Sequence, residues 1–95
     1  MVEKVGQIKK DILPILKRHK IRRAAIFGSF ARGEARKRSD VDILVEFKKT
    51  PTLFDIGGLY ADLQEKLHRK VDIVTYNSID PRLKESILSS KIDIL

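Results

Sequence analysis

Apolar residues recur at helical spacing from about Glu3 to His19, where Val5, Ile8, Ile12, Ile15 and Leu16 form one stripe. Pro14 interrupts that stripe and predicts a kink or a late helix start. Ile21 to Phe27, rich in β-branched and small apolar residues, reads as a strand ending at Gly28-Ser29. A short polar turn or helix closed by Arg32-Gly33 follows, then a charged loop from Glu34 to Arg38. Val41 to Phe47 reads as a second strand, with Val41, Ile43 and Val45 on one side. After a turn at Lys48–Thr52, Asp55 to His68 is the clearest helix, its buried stripe marked by Ile56, Leu59, Tyr60, Leu63 and Leu67. Gly57 and Gly58 weaken its first turn by roughly 1 kcal/mol each relative to alanine, or else permit close backbone packing. Lys70 to Thr75 predicts a third strand, and Asp80-Pro81 resembles an N-cap followed by proline at the first helical position. That last helix runs to about Ser89, and Ile92–Leu95 reads as a fourth, edge strand.

The alternation of helices and strands predicts an α/β (α+β) domain of two or three layers, a mixed β-sheet flanked by helices. Ninety-five residues fit one domain, 1–95, with a thin core that gains from a partner. The absence of cysteine excludes disulfides, thiolate metal sites and cysteine nucleophiles. Met1-Val2-Glu3-Lys4 lacks the apolar run of a signal peptide, and no stretch approaches the roughly 20 apolar residues of a membrane span. A cytoplasmic protein is therefore expected, with no membrane partner. The net charge of +7 attracts phosphates, nucleic acid or an acidic protein face without choosing among them.

Candidate chemistry is concentrated between Phe27 and Glu46. Gly28-Ser29 stands where a strand turns into a helix, a place that suits phosphate; a plain turn with Ser29 as N-cap would read the same. Asp40 and Asp42, two residues apart at the start of an apolar strand, project from one face. They repel each other unless a hard cation such as Mg²⁺ joins them or water solvates both. Asp72 repeats the arrangement on another strand, either as a third carboxylate of the site or as an edge residue. Arg32 is placed to reach a nucleotide phosphate or to form an ordinary salt bridge.

These residues resemble the nucleotidyltransferase superfamily related to DNA polymerase beta, and in particular its minimal nucleotidyltransferases. The family pattern is Gly-Ser, ten residues, then Asp-x-Asp; here Gly28-Ser29 is followed by Phe30 to Ser39 and then Asp40-Val41-Asp42. Ile26–Gly33, Ser39–Val45, Lys70–Thr75 and the Asp80-Pro81-Arg82-Leu83 region also resemble it. The resemblance implies a nucleotidyltransferase fold with Gly28 and Ser29 at the nucleotide triphosphate. It further implies Asp40, Asp42 and Asp72 as catalytic ligands of two Mg²⁺ ions, Asp72 also assisting deprotonation of an acceptor hydroxyl. The implied reaction moves AMP from ATP to a hydroxyl and releases pyrophosphate.

Stand-alone domains of this kind are often antitoxins that attach AMP to a tyrosine of a HEPN-type toxin. A HEPN-type toxin is thus the implied acceptor and partner, which fits the lack of any second acceptor-binding domain. An alternative reading is a non-catalytic antitoxin that neutralises by binding. A nucleic-acid-binding module ranks last, because the cations are dispersed and the aromatics form no base-stacking pattern.

Overall fold

The computed structural model describes residues 5–33 and 40–95. The charged loop expected at Glu34 to Arg38 lies outside the described residues. Helix α1 (Val5–Arg18) leads into strand β1 (Ile21–Phe27), helix α2 (Gly28–Ala31) and strand β2 (Val41–Phe47). Helix α3 (Leu53–Leu67), strand β3 (Val71–Thr75), a 3-10 turn (Tyr76–Ser78), helix α4 (Pro81–Ser90) and strand β4 (Ile92–Asp93) complete the chain.

The four strands form one mixed sheet in the order β3-β2-β1-β4. β1 runs antiparallel to β2 and to β4, whereas β2 and β3 are parallel, joined through α3. β4 covers one edge, and backbone hydrogen bonds between Ala24 and Leu95 continue that pairing to the end of the chain. The expected edge strand is therefore present, on the outer side of β1.

Period-two alternation sorts the side chains onto two unequal faces. Val41, Ile43 and Val45 join Ile8, Ile12, Leu16, Leu59 and Leu63 in the main core, beneath α1 and α3. The alternate residues face the other way. Ala25 and Leu44 pack there with Ile79, under Ile87 and Leu88 of α4. That second layer is thin, since α4 buries no residue fully and leaves Leu83 half exposed. Asp42 and Asp72 belong to this lightly covered face. Among the described residues no helix is long and apolar enough to cross a membrane.

α1, described from Val5, runs through Pro14, so of the two expected outcomes the late start does not occur; Ile8, Ile12, Ile15 and Leu16 are buried on both sides of the proline and hold the helix across it. One helix start differs from expectation. α3 begins at Leu53, ahead of the expected Asp55. The reason is a capping box: the Thr52 hydroxyl accepts from the Asp55 amide at 3.1 Å, and the Asp55 carboxylate accepts from the Thr52 amide at 2.8 Å. Leu53 and Phe54 are drawn into the helix by this cap while remaining 87% and 92% exposed.

The glycines of α3 are not demanded by packing. A Cβ at Gly57 would meet nothing within 4 Å, and one at Gly58 would stand 3.5 Å from His19 Cε1, an ordinary contact. Gly57→Ala should therefore stabilise the fold by about 1 kcal/mol, read as a rise in the denaturation midpoint without a change in slope.

Candidate active site

The site is assembled at the end of the sheet where β1 finishes and β2 and β3 begin. Phe27 is extended and serves as N-cap of α2, with no side-chain hydrogen bond at the cap. Ser29 therefore sits inside the helix and does not cap it, contrary to the plain-turn reading. Gly28 makes the corner at φ +72°, in the left-handed region that favours glycine. The buried Phe30 ties α2 to the core. Arg32 closes the element, its amide donating to the Gly28 carbonyl at 3.1 Å.

Register then brings the carboxylates to this corner. Phe27 is paired with Asp42 across β1 and β2, and Asp42 with Asp72 across β2 and β3. Paired residues on neighbouring strands stand about 4.8 Å apart at the backbone, so the two acids are side by side on one face. The expected neighbourhood of the Asp72 strand and the Asp42 strand is thus present. Asp40 lies just before β2, exposed, in a segment anchored by the Val41 amide donating to the Lys70 carbonyl at 3.0 Å. Strand alternation therefore does not fix its direction. Among the described residues no three carboxylate or imidazole groups are gathered closely enough to hold a metal.

Asp42 is the electrostatic centre. Partial burial pushes its pKa above the ordinary 3.8, and the charges of Asp72 and then Asp40 push it further, while Arg32 pulls it down. The other three charged candidates thus all act on one carboxyl group. Gly28 has a specific part in that arrangement: a Cβ there would lie 2.1 Å from Asp42 Oδ2. The space that sequence reasoning reserved for a ligand's approach is used, at least in part, by the Asp42 carboxylate.

Two features escaped sequence reasoning. The Arg69 guanidinium lies over the Phe30 ring at 5.1 Å and braces α2 against the connection between α3 and β3. Tyr60 and Gln64 of α3 reach the outer edge of β3, where the Ile73 amide donates to the Tyr60 hydroxyl at 3.0 Å and the Val71 amide donates to Gln64 Oε1 at 3.3 Å. Local signals for these contacts are weak, because both depend on how α3 docks. A groove of about 650 Å³, lined in part by Asp11, Arg18, Asp62 and His68, lies between α1 and α3. It is on the opposite face from Asp42 and carries none of this chemistry.

Comparison with known proteins agrees with the fold and the motif. The family described as "Polymerase beta, Nucleotidyltransferase" matches residues 10–95. A protein of Methanocaldococcus jannaschii, provisionally named a protein adenylyltransferase, is 48% identical over 91 residues, spanning 96% of this chain and 98% of its own. A solved structure provisionally described as a minimal nucleotidyltransferase superposes with a TM-score of 0.79 at 40% identity, covering 93% of this chain and 90% of that one. The antitoxin of Shewanella oneidensis, solved in complex with a tri-AMPylated HEPN toxin, superposes with a TM-score of 0.72 at 21% identity, covering 95% of this chain and 71% of that chain. At that identity the likeness speaks for the fold. With 86 of its residues matched and the Gly-Ser turn set against Asp42, the chain belongs to the polymerase beta nucleotidyltransferase family.

Proposed function

We propose that the chain transfers AMP from ATP to a tyrosine hydroxyl of a HEPN-type toxin and thereby acts as that toxin's antitoxin. The observation that carries this reading is the alignment of Asp42 with Asp72 on parallel strands, with Gly28 shaped to receive the Asp42 carboxylate. The relative provisionally named a protein adenylyltransferase supports the reaction class, and the Shewanella oneidensis complex supports the kind of partner.

The donor set suits Mg²⁺. Asp40, Asp42 and Asp72 offer only hard oxygen ligands, and Asp42 is held partly buried beside like charges, a conflict that a divalent cation relieves. Asp40 and Asp72 are exposed, so their side chains are free to turn toward a shared ion. When bound, Mg²⁺ supplies neutralisation of the triphosphate and stabilisation of charge at the α-phosphorus, and two ions would clamp the entering and leaving oxygens.

The chain's own groups do the rest. Gly28 and Ser29 border the triphosphate, and Arg32 offers it a cation. Asp72 takes the proton of the attacking hydroxyl. A bond forms between that oxygen and the α-phosphorus as the bond to the bridging oxygen breaks, and pyrophosphate departs with the electron pair.

The alternative of neutralisation by binding alone is separated by one experiment. The toxin is mixed with the chain with and without ATP and Mg²⁺, then assayed for residual toxicity and for added mass on its tyrosines. Catalysis predicts that toxicity is lost, and adenylyl mass gained, only when both are supplied. Full neutralisation without them, and no added mass with them, would overturn the catalytic reading.

A further inference from the structure

β3 is an edge strand, and the side of it that faces away from β2 presents the amides of Val71 and Ile73. Free edge amides are normally left to water or to another strand. Here the Val71 amide donates to Gln64 Oε1 and the Ile73 amide to the Tyr60 hydroxyl, which in turn donates to the Ile73 carbonyl at 3.4 Å. Tyr60 and Gln64 are four residues apart on α3 and so rise from one face of the helix. The two amides they hold flank Asp72.

We infer that Tyr60 and Gln64 are positioning residues for Asp72. They replace the missing strand neighbour at the two positions where slack in the backbone would move that carboxylate. The inference rests on reading Asp72 as a ligand of the proposed Mg²⁺ site. Asp72 itself is exposed, at the open edge of the sheet, and β2 restrains it from one side only. Without the clamp, β3 is free to shift along its outer edge, and the alignment of Asp72 with Asp42 loosens. Tyr60 is half-buried and Gln64 exposed, and neither belongs to the core, so core packing alone explains neither contact.

The test uses the full chain and Mn²⁺ as a spectroscopic probe, with a non-hydrolysable ATP analogue present. Outer partners of metal ligands typically cost 10–100-fold in metal affinity when removed. Tyr60→Phe and Gln64→Leu should each weaken Mn²⁺ binding about tenfold. Amide exchange at Val71 and Ile73 should quicken while that at Ile43 stays slow. Ile12→Val, a core change in α1 remote from the carboxylates, should lower stability and leave Mn²⁺ affinity unchanged. Asp72→Asn separates the two levels of the argument. If Asp72→Asn weakens Mn²⁺ binding but Tyr60→Phe and Gln64→Leu bind like the unaltered chain, the positioning role is overturned. If Asp72→Asn also binds normally, the metal site itself is wrong.

Discussion

Asp42→Asn is expected to lower AMP transfer about a thousandfold while making the metal-free fold more stable. The loss follows from removing the central ligand: about 4 kcal/mol of charge stabilisation corresponds to three decades of rate. The gain in stability follows from the same carboxylate's environment. Its pKa lies above the ordinary 3.8, raised first by burial and then by Asp72 and Asp40. Between 3.8 and that raised value the folded chain binds more protons than the unfolded one, so stability falls as pH rises through the interval and stays lower at neutral pH. Asparagine has the same shape without the charge. In the presence of a chelator at pH 7, Asp42→Asn should therefore melt at a higher temperature than the unaltered chain, and the difference should close as pH approaches 3.8. Adding Mg²⁺ and nucleotide should raise the melting temperature of the unaltered chain only. A variant both less active and less stable would show that Asp42 serves the fold rather than the site.

Gly28→Ala is expected to be the most damaging single-methyl change at the corner. Two penalties coincide there. The backbone stands at φ +72°, and the new Cβ would lie 2.1 Å from Asp42 Oδ2. The first costs roughly 1–2 kcal/mol of stability for a residue with a Cβ. The second can be relieved only by moving Asp42 or the turn. A displacement of about 1 Å in such a site costs on the order of a hundredfold in rate. Denaturant titration and single-turnover transfer, measured on the same preparation, should show both losses. Gly33 provides the comparison: it shares φ +72°, but an added Cβ there meets nothing within 4 Å. Gly33→Ala should lose stability by a similar strain and keep most of its activity. Equal activity losses at the two glycines would point to backbone strain and away from the Asp42 contact.

Much of this architecture could be read directly from the chain. Ile21–Phe27 and Val41–Phe47 were bounded correctly because each is an apolar, β-branched run between charged or glycine-containing segments. Asp80 caps α4 as its position before proline implied, accepting from the Arg82 amide at 2.9 Å. The Gly-Ser and Asp-x-Asp spacing pointed to one corner of the sheet, and strand register brings Gly28, Asp42 and Asp72 to it. What could not be read is what depends on three-dimensional docking. The service of Gly28 to Asp42 spans fourteen positions and two strands. The hold of Tyr60 and Gln64 on β3 depends on the pitch of α3 over the sheet edge. The turn expected at Lys48–Thr52 ends in a capping box between Thr52 and Asp55, which starts α3 at Leu53, two residues ahead of the expected Asp55. Strand alternation puts Asp40 on the face of Asp42 only if the strand reaches it, and β2 begins at Val41, leaving Asp40 exposed just before it.

The most direct test follows the label of ATP onto the toxin, in parallel reactions with the α- or the γ-phosphate labelled. The account predicts that α-label becomes covalently attached to a toxin tyrosine, that γ-label appears only in pyrophosphate, and that chelation or Asp42→Asn removes the attachment. Attachment of γ-label, or attachment of α-label at equal rates by the unaltered chain and Asp42→Asn, would contradict it.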